Sequence, residues 1–222
     1  MGLPSSLVLI GAGKMGGALL EGWLRLGLDP ATTAVIDPYP SAEMKALCEK
    51  AGVRLNPPRE TLGKPEALAL AIKPQTLNAA APEIAPLIGP KTLVVSIMAG
   101  KTIANIKARL PARAVVRAMP NTPASVGRGV TAVAADPSVS ESQRAAADSL
   151  LRAIGRIEWV KDETLIDAVT ADALENLQAA VTKIARHYAR GSRFAQRQLR
   201  MRVQVAADRD QTIEIILGQT IA

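Results

Sequence analysis

Aromatic side chains are nearly missing from this sequence: two Trp, two Tyr and one Phe among 222 residues. The interior must therefore be built from Ala, Leu, Val and Ile, and a surface that stacks nucleic-acid bases on aromatic rings has no material to work with. Cys48 is the single cysteine and His187 the single histidine. Those two counts exclude a disulfide framework, a cysteine-rich zinc centre and a histidine-based metal site. No run reaches the roughly 18 apolar residues that a membrane span needs. Met1 to Ser6 has neither the basic start nor the long apolar stretch of a secretory signal. What remains is the expectation of a cytoplasmic globular protein with no metal and no membrane partner. Hydrophobic residues make up 48% of the chain, ample for a packed core.

Charge is uneven. There are 27 Lys plus Arg against 20 Asp plus Glu. From Lys183 to Arg202 the chain carries seven basic residues and no acidic one, so a mildly basic body is followed by a concentrated positive segment.

Short apolar runs alternate with segments of helical period. Leu7–Ile10 reads as a buried strand, followed by Gly11-Ala12-Gly13 and a helix over Gly16–Leu26. Thr33–Ile36 reads as a second strand, with Ser41 capping a helix that Gly52 stops after Ala51. Further strands are expected at Leu68–Ile72, Leu93–Ile97, Ala114–Arg117, Val130–Ala134 and Arg156–Val160, with a helix over Glu141–Ile154. This order implies an α/β fold: a Rossmann-type, mostly parallel sheet with helices on both faces. From about Glu163, Ile166, Val169, Ala173, Leu177, Val181 and Ile184 recur at spacings of three and four, the mark of a long amphipathic helix. The expected division is a dinucleotide-binding domain over 1–160 and a helical C-terminal segment over 161–222. The apolar seam of that segment needs a partner, either the sheet domain or a second copy of the chain.

Gly11-Ala12-Gly13-Lys14-Met15-Gly16 is a G-x-G-x-x-G between a strand and a helix. In that context Gly11 allows the tight turn, Gly13 lets backbone N–H groups approach a pyrophosphate, and Gly16 lets the helix pack closely on the strand. The helix N-terminus favours an anion. Asp37 ends the second strand; a carboxylate there accepts hydrogen bonds from the ribose hydroxyls of NAD and repels a 2′-phosphate. The alternative for Asp37 is a strand-ending turn before Pro38. Lys73-Pro74-Gln75, Ser96-Ile97-Met98-Ala99-Gly100 and Met119-Pro120-Asn121-Thr122-Pro123 follow later strands, and on one sheet edge they would line a single crevice.

Taken together, these segments resemble the pyrroline-5-carboxylate reductase family from about Leu7 to Ala171. The residues that carry the resemblance are Ile10–Gly16, Lys73-Pro74-Gln75, Ser96–Gly100, Arg117–Pro123 and Asp162–Ala171. The resemblance implies NAD(P)H-dependent reduction of 1-pyrroline-5-carboxylate to L-proline. It also implies contacts to the dinucleotide from Gly11, Gly13, Lys14, Met15, Gly16, Lys73, Pro74, Met98, Ala99 and Asn121. Family members usually prefer NADPH, whereas Asp37 points to NADH. The family continues with a Ser-Gly-Ser-Gly-Pro-Ala-Tyr helix start; here Asp172-Ala173-Leu174-Glu175-Asn176-Leu177-Gln178-Ala179 stands instead. The second domain is therefore expected to be atypical or truncated, and no catalytic residue is carried over. A dinucleotide-binding protein with little or no reductase activity is the alternative.

Lys183, Arg186, Arg190, Arg193, Arg197 and Arg200 would form one cationic stripe if the helix continues. A solvated helix face, a phosphate-binding face and a segment that replaced the family's second domain are the open readings. Nucleic acid ranks last among the expected partners, after a small-molecule substrate and a second copy of the chain.

Overall fold

The computed structural model describes residues 2–120 and 129–166. All of them belong to the compact unit Met1–Thr170. Eight strands form one sheet: β1 (Leu7–Ile10), β2 (Thr33–Ile36), β3 (Arg54–Leu55), β4 (Ala67–Leu70), β5 (Leu93–Ser96), β6 (Ala114–Pro120), β7 (Gly129–Ala135) and β8 (Gly155–Trp159). The helices are α1 (Lys14–Arg25), α2 (Ala42–Ala51), α3 (Leu77–Ile84), α4 (Ile103–Lys107) and α5 (Glu141–Leu151).

The strand order is β3-β2-β1-β4-β5-β6-β7-β8. The first six strands are parallel and give the doubly wound order, with the direction of winding reversing between β1 and β4. The runs of β1, β2, β4 and β5 are buried end to end because helices cover both faces. Successive strand residues point to opposite faces. Leu7 and Leu9 join Leu19, Trp23, Met44, Cys48 and Leu150 on the face of α1, α2 and α5. Val8 and Ile10 join Leu77, Ile84, Met98 and Ile106 on the face of α3 and α4. Each such aliphatic side chain contributes about 1.5–3 kcal/mol by its removal from water.

Two contacts fix α1. The indole of Trp23, fully buried, donates to the Leu150 carbonyl at 2.8 Å, which satisfies its one polar atom. Gly22 lies so close to the turn at Arg152–Ile154 that a Cβ would stand 2.7 Å from the Ala153 carbonyl oxygen. Cys48 is buried beneath α2 with its sulfur 3.7 Å from that of Met44, and burial pushes its thiol pKa up.

The structure departs from the expected elements in particular ways. β7 is antiparallel to β6, because residues 121–128 are too few for the crossover that a parallel pair requires. β6 continues to Pro120, so Met119 and Pro120 end a strand rather than open a loop. β4 stops at Leu70 and α5 at Leu151, where a 3₁₀ turn over Arg152–Ile154 takes over from the expected helix. α1 begins two residues before Gly16, and α3, α4 and the two-residue β3 had no counterpart in the sequence reading. Asn121, the amphipathic segment after Ile166, the arginine stripe and His187 lie outside the described residues.

Candidate functional site

The turn between β1 and α1 sits at the carboxyl edge of the sheet, where the winding reverses between β1 and β4. Its three glycines answer to three different constraints. Gly11 has φ +88°, a left-handed backbone that L side chains avoid, and a Cβ there would lie 2.8 Å from the Ala71 carbonyl oxygen. Gly16 has ordinary backbone, but a Cβ would meet the Gly11 carbonyl oxygen at 2.3 Å and the Ala71 methyl at 3.2 Å. Gly13, with φ −65° and ψ −168°, adopts extended backbone open to any residue. A Cβ there meets nothing within 4 Å. The fold requires Gly11 and Gly16; it does not require Gly13.

Gly13 is also the N-cap of α1. No side chain caps this helix and no acidic residue occupies its first turn, so the N–H groups that a helix start leaves over are available to an anion. A helix of twelve residues with an exposed, bare start fits a phosphate group.

Beside this turn lies a cleft of about 400 Å³. Gly13, Lys14 and Gly17 form its α1 side, Asp37 and Tyr39 come from the segment after β2, and Glu43 and Met44 come from α2. Asp37 is half-buried and joins the two halves of the site. Ala12 N–H donates to its Oδ2 at 2.7 Å, and Tyr39 N–H donates to its Oδ1 at 2.8 Å. Its main chain is held in turn by Asn56: Asp37 N–H donates to Asn56 Oδ1 at 2.9 Å, and Asn56 Nδ2 donates to the Asp37 carbonyl at 2.7 Å. Asn56 has φ 49°, the one positive φ among the described non-glycine residues, and its own N–H donates to Val35 O at 2.8 Å. Glu43 is exposed; hydrogen bonds from its own backbone and from Ser41 hold its carboxyl below the usual range. The Tyr39 ring stands at the rim, 90% exposed.

Of the residues singled out from sequence, Gly13, Lys14 and Asp37 line this cleft together, with Gly11 and Gly16 shaping the turn behind them. Met15 is half-buried against the α1 face of the core. Lys73 is exposed after β4, where its carbonyl accepts from Thr76 N–H at 2.9 Å and Thr76 Oγ1 at 2.7 Å, fixing the turn that Pro74 starts. Met98 is buried in the α3–α4 core, its N–H donating to Ser96 Oγ at 3.3 Å, while Ala99 beside it is exposed. These residues follow β4 and β5 and do not line the cleft.

Sequence reading passed over Asn56, Tyr39 and Glu163. Asn is one of the few residues that tolerates positive φ, yet nothing local ties Asn56 to Asp37. Glu163 Oε1 accepts from Ile103 N–H at 2.7 Å, at the first residue of α4 after its N-cap Thr102, and pairs with the buried Arg117 guanidinium at 3.3 Å. It thereby ties the segment after β8 to the loop that follows β5 and to β6.

The strand order and the glycine turn at the point where winding reverses define a Rossmann-type domain. The family described as NADP oxidoreductase coenzyme F420-dependent matches residues 6–100. Pyrroline-5-carboxylate reductase of Pseudomonas aeruginosa is 37% identical over 166 residues, covering 74% of this chain and 61% of the relative. The Haemophilus influenzae enzyme of that name is 33% identical over 192 residues, covering 80% and 69%. A solved pyrroline-5-carboxylate reductase from Coxiella burnetii superposes with a TM-score of 0.72 at 29% identity, over 83% of this chain and 71% of that one. The chain belongs to the pyrroline-5-carboxylate reductase family. It spans about six tenths of the length of several of the curated relatives it matches.

Proposed function

We propose that the chain binds a reduced nicotinamide dinucleotide along the carboxyl edge of its sheet and uses it to reduce 1-pyrroline-5-carboxylate to L-proline. The observation that carries the reading is Gly13: a glycine the fold does not need, at the bare start of a helix, in a chain of this family. The turn Gly11–Gly16 would hold the pyrophosphate, with Lys14 adding positive charge. Asp37 would accept from the adenosine ribose. Lys73, Pro74, Ala99 and Asn121 would line the course toward the nicotinamide, with Met98 buried next to Ala99. When bound, the reduced nicotinamide supplies the hydride that the imine carbon takes up, as the ring nitrogen gains a proton. The chain's own contribution is to orient the two reactants and keep them in contact; no side chain is assigned the proton transfer.

Self-association through the segment after Glu163 and a cytoplasmic setting belong to the same reading. It is supported by the apolar recurrence from Ile166 to Ile184, and light scattering on the intact chain tests it. Among the described residues no helix is long and apolar enough to cross a membrane. A second reading, a dinucleotide-binding protein with little or no reductase activity, is favoured by Asp172–Ala179, which stands where the family has its Ser-Gly-Ser-Gly-Pro-Ala-Tyr start. Oxidation of NADH or NADPH by purified chain with pyrroline-5-carboxylate decides between them. Turnover supports the first; tight coenzyme binding in a folded sample with no turnover supports the second. Absence of coenzyme binding refutes both.

A further inference from the structure

The cleft beside the glycine turn is rich in negative charge. Asp37, Glu43 and Glu21 line it, and Lys14 is the only basic residue in its lining among the described residues. Asp37 is also the best fixed of the three. Each carboxylate oxygen already accepts one backbone N–H, from Ala12 and Tyr39, which leaves each with a further lone pair. The two reciprocal bonds from Asn56 lock the main chain on both sides of that side chain. Asn56 holds a left-handed backbone while it makes them, a conformation that persists only where the surroundings determine it.

We propose that Asn56 is a positioning residue for Asp37, and that the pair makes this chain select a dinucleotide whose adenosine ribose carries free hydroxyls over one that carries a 2′-phosphate. The inference rests on the dinucleotide reading above and adds the choice of coenzyme. A carboxylate held still can accept a ribose hydroxyl without first losing side-chain freedom. The same carboxylate, half-buried and unable to swing aside, faces a 2′-phosphate with like charge at close range. Glu43 adds to it.

Titration calorimetry on the intact chain tests this with NADH and NADPH, and with adenosine 5′-monophosphate and adenosine 2′,5′-bisphosphate as probes of the adenosine end alone. The expected result is tighter binding of NADH and of the monophosphate, by at least about tenfold. Asp37→Ser should bring each pair within about threefold. Asn56→Gly keeps the left-handed backbone and removes the amide. It should weaken NADH about three- to tenfold and leave NADPH unchanged or improved. Asn56→Asp retains the acceptor for Asp37 N–H and should fall between. A general loosening of the fold would lower both affinities together, so the ratio is the readout that separates positioning from stability. NADPH bound as tightly as NADH by the unaltered chain overturns the inference while leaving the dinucleotide reading intact. Equal weakening of both coenzymes in Asn56→Gly removes Asn56 from it. Failure of both coenzymes to bind overturns the dinucleotide reading and this inference with it.

Discussion

Replacing Gly13 with alanine separates what the fold needs from what a bound dinucleotide needs. The backbone at Gly13 is already extended, and the added methyl would have nothing within 4 Å to strike. Alanine is a poorer N-cap than glycine by up to about 1 kcal/mol, but it restricts the unfolded chain by about 0.4–1 kcal/mol, which acts in the opposite direction. The two nearly cancel. The melting temperature of Gly13→Ala should therefore stay within about 3 °C of the parent. Binding should not survive as well. A methyl in the space where backbone N–H groups meet a pyrophosphate displaces one charge-assisted hydrogen bond, worth about 1.5–3 kcal/mol, so NADH affinity should fall about 10- to 150-fold. Gly16→Ala is the contrast: its methyl would lie 2.3 Å from a backbone oxygen, and both stability and binding should drop. Differential scanning calorimetry and isothermal titration on the same samples provide the two readouts. Unchanged NADH affinity in a folded Gly13→Ala protein would show that the turn is only a strand-to-helix connection and refute the reasoning.

Three other perturbations follow from the geometry. Glu163→Ala removes the acceptor of the Ile103 N–H and one partner of the buried Arg117; it should cost about 2–4 kcal/mol and lower the melting temperature by about 5–15 °C, with Glu163→Gln milder, and equal melting of all three would contradict the assignment. Tyr39→Ala should weaken NADH and NADPH alike by about 5- to 100-fold if the ring stacks on adenine; a change in their ratio would instead place the ring near the 2′ position. Burial raises the Asp136 pKa, but hydrogen bonds from Lys107 and Ser138 and the charge of Lys107 outweigh it and leave the carboxyl below its usual range. The stability this provides is present above the ordinary carboxylate pKa of about 3.9 and lost as pH falls below it. Lys107→Met should thus melt lower than the parent at neutral pH, with the gap closing on the acid side of about pH 4; a constant gap in melting curves across that range would disprove the link.

Much of the fold was legible because its strands are fully buried. Leu7–Ile10, Thr33–Ile36 and Leu93–Ser96 carry no polar residue to disguise them apart from strand-end hydroxyls, and turn residues bound them. The first glycine turn was legible because each of its constraints is local. β3 escaped notice because two residues carry no periodicity, and α3 because Pro82 sits inside it. The reversal at β7 depended on how far the chain runs between strands, which composition does not encode. The long-range ties were invisible for a similar reason. Asn56 lies 19 residues from Asp37, and Glu163 lies 60 from Ile103; neither spacing has a pattern that a window along the chain can detect. Met98 was recognised by its place after a strand, but the residue belongs to the core, since an apolar side chain just past a strand end can turn inward as readily as toward the sheet edge.

Cys48 gives the molecule a practical property. It is the chain's only thiol, it is shut beneath α2, and burial keeps it protonated, so maleimide reagents should leave the folded protein unmarked. A cysteine introduced at Glu21, exposed on the cleft wall, would then be the sole labelling point. A fluorophore attached there would report nucleotide occupancy in real time without any prior stripping of background sulfur.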